Sequence, residues 1–233
     1  MNFKTKISKT KDGNHTIYGH DLLDLIEKKS FSEVIFLLWR ENFPTNEEKE
    51  LLEAVLVASV ENGIEAPSVF VPRVSVSAGN SMHTALATGI LSIGENHGGA
   101  AEKCAELLKS GLKAGEIVEK NKIIAGFGHK IYKDKDPRAE AIYQKAKKLG
   151  FPCEFFDLAY EIESELEKKA GKKIPLNIDG AIAAVMLELK IDPSFGKALF
   201  ALARLVGASA HVKEEMEQKN SYHRLEESDV ENL

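Results

Sequence analysis

Gly126-Phe127-Gly128-His129-Lys130-Ile131-Tyr132, continued by Lys133-Asp134-Lys135-Asp136-Pro137-Arg138-Ala139, changes character half-way along. Its first half reads as a loop that presents His129, because glycines let the backbone turn sharply and approach a ligand closely. Its second half opens a helix. Asp136 is a side-chain cap, and Pro137 suits the first helical position, where a missing N–H costs nothing. RAEAIYQKAKKLG continues that helix, with Gly150 closing it. Arg138 falls on the first turn, nine positions after His129, where it can reach a carboxylate. Lys130, Lys133 and Lys135 either meet phosphates or form a solvated charge run.

Helical signals dominate outward from this stretch. Ser30 to Glu33 and Thr45 to Glu48 fit the capping-box pattern ahead of apolar runs, and Gly63 suits the end of the second helix. An amphipathic helix is predicted from about Phe155 to Lys169. Ile178, Ile182, Val185, Met186 and Leu189 recur at helical spacing, and one long helix is predicted from Ser194 to Glu217. One segment resists. Val69, Val71, Val74 and Val76 are β-branched and partly alternate, which on propensity alone is a strand.

Two other glycine clusters sit beside titratable residues. Gly94-Glu95-Asn96-His97-Gly98-Gly99-Ala100 opens a helix. A histidine at a helix N-terminus stays neutral, because the dipole disfavours its cation, and a neutral imidazole donates well to a developing enolate oxygen. The same motif also reads as a turn with an exposed histidine. Asn177-Ile178-Asp179-Gly180 places an acid before an apolar helix, as an N-cap or as a general base with a tuned pKa. Arg204, inside ALFALARLVGASAHV, is costly unless paired, so it meets either an internal carboxylate or a carboxylate ligand. His211 on the same helix reads as a packing histidine.

Composition narrows the alternatives. The chain has 233 residues, 43% hydrophobic and 29% charged, with net charge −5 and mixed signs throughout. That is one large domain or two lobes, without the clustered Lys and Arg of a nucleic-acid-binding face. No apolar run reaches 18 residues, so no membrane span is expected. MNFKTKISKTKDG is basic but no apolar stretch follows, so no signal peptide is expected and a cytoplasmic protein is. Cys104 and Cys153 lie far apart, which fits neither a disulfide framework nor a zinc site, and no metal is expected. No nucleophile motif or P-loop appears. Two histidines, one acid and several arginines suit proton abstraction beside a carbonyl, with arginines holding carboxylates.

These stretches resemble the citrate synthases, in the same order. GENHGGAAE is similar to G-P-x-H-G-G-A-N-E, and GFGHKIYKDKDPRA to G-F-G-H-R-V-Y-K-x-x-D-P-R-A. LNIDGAIAAV is similar to the N-V-D segment, LARLVGASAHVKEE to A-R-T-V-G-W-x-A-H-W-x-E, and residues 17–48 to the N-terminal pattern of that family. The resemblance implies an all-α fold, with a large domain of residues 1–97 and 191–233 and a small mobile coenzyme A-binding domain of 98–190. It implies that His97 steadies the enol of an acyl-CoA, Asp179 takes its methyl proton, and His129 polarises a keto group. It implies that Arg138, Arg204 and Arg224 hold carboxylates, Arg224 reaching a neighbouring subunit's site in a homodimer or larger assembly. Gly126, Gly128, Lys130 and Lys133 are the expected coenzyme A contacts.

Within the superfamily, N-I-D-G-A-I-A-A-V and SAGNSMHTALATGILSIG look like citryl-CoA lyases and the C-terminal part of ATP-citrate lyase. Cleavage of citryl-CoA to acetyl-CoA and oxaloacetate is therefore the expected reaction. A short synthase for citrate or for another 2-oxo acid, and a silent CoA-binding paralogue, are the alternatives. One position departs. The family has Asp-His-Gly or Asp-His-Glu where this chain has Glu61-Asn62-Gly63. Asn62 keeps a hydrogen-bonding amide at the substrate end but no charge, a difference of about 1.5–3 kcal/mol. His83 is the candidate compensator, against its plainer reading as a helix-surface residue.

Overall fold

In the computed structural model, which describes residues 2–231, the chain begins with a hairpin that the helical reading does not include. β1 (Ser8–Lys11) pairs antiparallel with β2 (Asn14–Ile17), with Ser8 opposite Ile17, and β3 (His20–Asp21) adds beyond β2. Asp12 and Gly13 both take positive φ, the turn geometry that matches strand twist. Eleven α-helices account for most of the remaining described residues, and the fold is all-α.

α1 (Leu22–Lys28) is capped by Asp21. α2 (Phe31–Arg40) and α3 (Asn46–Ser59) open with the two expected capping boxes, Ser30 with Glu33 and Thr45 with Glu48. α3 stops at Ser59, before Gly63, because residues 60–63 turn away and the Glu61 carboxylate accepts from the Gly63 N–H. The valine-rich segment is a helix, α4 (Pro67–Ser77), and not a strand. Tertiary packing overrides propensity here: Val69, Arg73 and Val76 fall on one helical face and all three are buried.

α5 (Met82–Leu91) packs on α4, and α6 (Ala100–Leu108) and α7 (Ala114–Lys120) follow. α8 (Pro137–Lys148) has Asp136 as its cap, as expected. α9 (Glu154–Ala170) matches the predicted amphipathic helix. α10 (Ile178–Glu188) is buried almost all round from Gly180 to Leu187, as a central helix must be. It packs against α3, α6, α8 and α9. Fully burying Ile182, Val185 and Met186 contributes about 1.5–3 kcal/mol each. The predicted last helix is divided into a 3-10 turn, Pro193–Phe195, and α11 (Gly196–Gln218), which lies across α3, α4 and α5. No helix among the described residues is long and apolar enough to cross a membrane.

Candidate active site

The N-terminus of α10 is stitched to the Gly126–His129 loop. The Gly128 N–H donates to the Pro175 carbonyl at 2.7 Å, and the Asn177 N–H to the Gly126 carbonyl at 3.0 Å. The Asn177 side chain donates to the Gly128 carbonyl at 2.8 Å. Gly126 is buried where a Cβ would lie 2.7 Å from Cys104 Sγ and 2.9 Å from Gly180 Cα, so no other residue fits between α6 and α10. Around this junction a cleft of about 180 Å³ is lined by His97, His129, Asp179, Asn62, Arg138 and Arg204, together with Ser59, Asn96 and Phe200.

His97 lies against the N-terminus of α4. Its Nε2 accepts from the Ser68 N–H at 3.3 Å and lies 2.9 Å from Ser68 Oγ. That helix has no side-chain cap, so the imidazole satisfies one of its free N–H groups. An accepting Nε2 places the ring proton on Nδ1. Burial, then the Arg204 guanidinium, holds the His97 pKa below the usual imidazole value, so it is a neutral donor. The backbone N–H that fixes its tautomer comes from the start of α4, while burial and Arg204 keep it neutral.

His129 is fixed the opposite way. Its Nδ1 accepts from the Ile131 and Tyr132 N–H groups, each at 3.1 Å, which leaves the proton on Nε2. Burial, then Arg138, lowers its pKa. Arg138 is clamped by Asp136, with Nε to Oδ1 at 3.0 Å and Nη2 to Oδ2 at 2.8 Å, and donates from Nη1 to Asn62 Oδ1 at 2.9 Å. Asp136 is 1% exposed and also accepts from the Ile178 N–H at 3.1 Å. Burial works against its charge, but the Arg138 hydrogen bonds outweigh this and hold its carboxyl low.

Asp179 is not the cap of α10. Asn177 Oδ1 accepts from the Asp179 and Gly180 N–H groups at 2.9 and 3.2 Å, which leaves the Asp179 side chain free. Among the described residues nothing donates to that carboxylate, and burial pushes its pKa up, opposed by Arg138 and Arg204. Arg204 donates from Nε to the Ser59 carbonyl at 3.0 Å and stacks on Phe200. It makes no ion pair among the described residues; its Nη1 and Ser59 Oγ are buried without a partner. Buried donors of this kind are rarely left empty, so the cleft suits an anionic oxygen ligand.

The citrate synthase C-terminal domain family matches residues 44–226. The chain belongs to this family. The citrate synthase of Synechocystis sp. is 31% identical over 91% of this chain and 55% of its own length. The chain spans about half the length of the curated relatives it matches first. Among solved structures, the citryl-CoA lyase from Hydrogenobacter thermophilus superposes with TM-score 0.93 at 36% identity, over 99% of this chain and 94% of that one. The ATP citrate lyase from Methanothrix soehngenii, in complex with citrate and coenzyme A, gives TM-score 0.90 at 25% identity, over all of this chain and 42% of that one.

The other positions expected from the citrate synthase resemblance fall outside the cleft. Arg224 is exposed on the segment after α11, beside Tyr222, His223 and Glu226. Gly128 and Lys133 line a groove of about 620 Å³ with Lys172 and Lys173, and His129 borders both this groove and the cleft. Lys130 is exposed beside it, while Gly126 is buried in packing. His83 is exposed on α5 and does not reach the cleft, as its plainer reading has it. Sequence reasoning missed Ser68, whose partner is 29 positions away and leaves no local signal, and the second role of Asp136, whose capping role hid it. Among the described residues no group of His, Cys, Asp and Glu could hold a metal.

Proposed function

We propose that this chain is a citryl-CoA lyase-like enzyme, cleaving citryl-CoA to acetyl-CoA and oxaloacetate. The observation that carries the reading is the convergence, in one cleft, of unpaired donors from Arg204 and the His129–Arg138 pair with a free, desolvated Asp179. The substrate hydroxyl gives up its proton to solvent as the C–C bond breaks, and its oxygen becomes the keto oxygen between His129 Nε2–H and Arg138 Nη2–H. The bond electrons pass into the thioester as an enolate, which His97 Nδ1–H stabilises. Protonated Asp179 then delivers a proton to the enolate carbon and leaves acetyl-CoA. Arg138 and Arg204 hold carboxylates. The reverse sequence forms citryl-CoA, and synthesis of citrate adds hydrolysis of its thioester by water, which frees CoA.

The groove of Gly128, Lys133, Lys172 and Lys173, with Lys130 at its side, is the proposed seat of the coenzyme A phosphates, since His129 borders both it and the cleft. In this reading residues 98–190 form a small lobe that closes on residues 1–97 and 191–233 around the substrate. The chain works as a homodimer in which Arg224 completes the neighbour's site. The 36% identity to a citryl-CoA lyase over nearly the whole of both chains supports cleavage. The Synechocystis relative supports synthesis as the second reading. A coupled assay separates them. Free CoA release from acetyl-CoA plus oxaloacetate is compared with oxaloacetate release from citryl-CoA. Cleavage far outpacing synthesis is the expected result; silence in both directions overturns the reading.

A further inference from the structure

On α11, Arg204, Gly207 and His211 share one face. Gly207 brings the backbone of residues 60–61 directly onto this face: a Cβ there would run into the Val60 carbonyl and lie 3.2 Å from Glu61 Cγ. The Glu61 side chain is therefore laid between Arg204, one turn earlier, and His211, one turn later. A carboxylate placed beside a buried, unpaired guanidinium pairs with it unless something else holds it. Glu61 is held: His211 Nε2 lies 2.9 Å from its Oε1, and the Gly63 N–H donates to both carboxylate oxygens at 3.0 and 2.8 Å. Arg73 Nη1, a donor only, stands 3.5 Å from His211 Nδ1, which leaves the ring proton on Nε2, aimed at Glu61. Arg204 Nη1 meanwhile stays without a partner.

We infer that His211 is a positioning residue, which draws the Glu61 carboxylate off Arg204 and keeps that guanidinium open for a substrate carboxylate. The inference rests on the reading of Arg204 as a carboxylate holder. It gives His211, remote from the reacting atoms, a measurable effect on affinity. Without it, Glu61 closes on Arg204 and competes with the ligand as an internal anion.

The test is citrate binding by titration calorimetry, with steady-state kinetics, on the wild type and on His211→Ala, His211→Gln, Glu61→Gln and His211→Ala/Glu61→Gln. His211→Ala is expected to weaken citrate about tenfold or more and to raise KM with kcat nearly kept. Glu61→Gln in the same chain restores affinity, because a neutral amide does not compete for Arg204. His211→Gln, which can still donate to Glu61, stays near wild type. Wild-type binding with an unaffected His211→Ala variant overturns this inference and leaves the site reading intact. A double variant as weak as His211→Ala shows a merely structural histidine and overturns it too. A wild type that binds no citrate removes the reading of Arg204, and this inference falls with it.

Discussion

Arg138 Nη2 and His129 Nε2 lie 3.3 Å apart, and both are donors. The two backbone N–H groups on His129 Nδ1 force the imidazole proton onto Nε2, and a guanidinium cannot accept. Two converging donors without an acceptor are held together by the Asp136 clamp and the Asn62 bond on Arg138 and by the backbone bonds on His129. The arrangement is relieved when an anionic or carbonyl oxygen enters between them.

Arg138→Lys tests the clamp. A lysine keeps the charge but not the planar fork that binds Asp136 twice and Asn62 once. We expect kcat/KM to fall by at least tenfold, the equivalent of about 1.5–3 kcal/mol for a lost charge-assisted bond. Steady-state kinetics that match the wild type would remove Arg138 from the site.

Asp179→Asn is expected to abolish turnover while the fold and CoA binding persist. Burial raises the Asp179 pKa in the folded chain, so ionising it costs stability, and that cost grows as pH rises from the ordinary carboxylate range through the folded value. The amide carries no such cost, so the variant is expected to unfold at or above the wild-type temperature at neutral pH. Calorimetry beside an activity assay checks both halves. Normal turnover in the variant would refute the proton-transfer role.

The same shift predicts one acid limb shared by the two directions. Synthesis needs ionised Asp179 and is lost as pH falls through its raised pKa. Interconversion of citryl-CoA with acetyl-CoA and oxaloacetate takes up no net proton, so microscopic reversibility gives cleavage the same limb. His97, held below the usual imidazole pKa by burial and then Arg204, stays neutral at neutral pH. Profiles of kcat/KM that show no acid limb in either direction would break the assignment.

Much of this cleft was legible in the sequence because its residues sit on helix starts, where capping and glycine patterns are local. Asp136 was readable as a cap, whereas Gly126, expected at coenzyme A, is packed between α6 and α10. The strand-like valines of α4 misled, because the burial that makes them helical depends on α5 and α11, far off in sequence. Asp179 was read alone as a cap because Asn177 and Asp179 are chemically equivalent for that task; only the geometry shows that Asn177 does it. Arg204 left two partners open, and the unpaired Nη1 decides against an internal carboxylate.

Arg73→Ala is expected to be costly. Arg73 Nε donates to Glu215 at 2.8 Å, and Glu215 is 3% exposed, so the variant takes a charge-assisted bond from a buried carboxylate that keeps Asn220 and His223, at a cost of about 1.5–3 kcal/mol. Burial opposes the Glu215 charge, but hydrogen bonds from Asn220, Arg73 and His223 hold its pKa down. Its contribution is therefore present above the ordinary carboxylate range and lost as pH falls through the folded value. Urea unfolding at neutral and acid pH checks this. A difference from wild type that does not shrink on acidification would contradict it.

Arg224 calls for a test across subunits. The segment that bears it is pinned to its own chain by the His223 N–H to Ser77 Oγ at 3.1 Å and by His223 Nε2 to Glu215 at 2.8 Å. Arg224 itself is exposed and outside the cleft of its own chain. If it binds a substrate carboxylate, it does so in a neighbour. Arg224→Ala is expected to weaken citrate without preventing dimer formation. Mixed with Asp179→Asn, itself inactive, it should recover activity, because one site of each mixed dimer then holds both Asp179 and an intact arginine from the partner. Failure to recover, in a preparation where sedimentation shows mixed dimers, would mean that Arg224 does not act across the interface; unchanged citrate affinity in the single variant would mean that it holds no substrate at all.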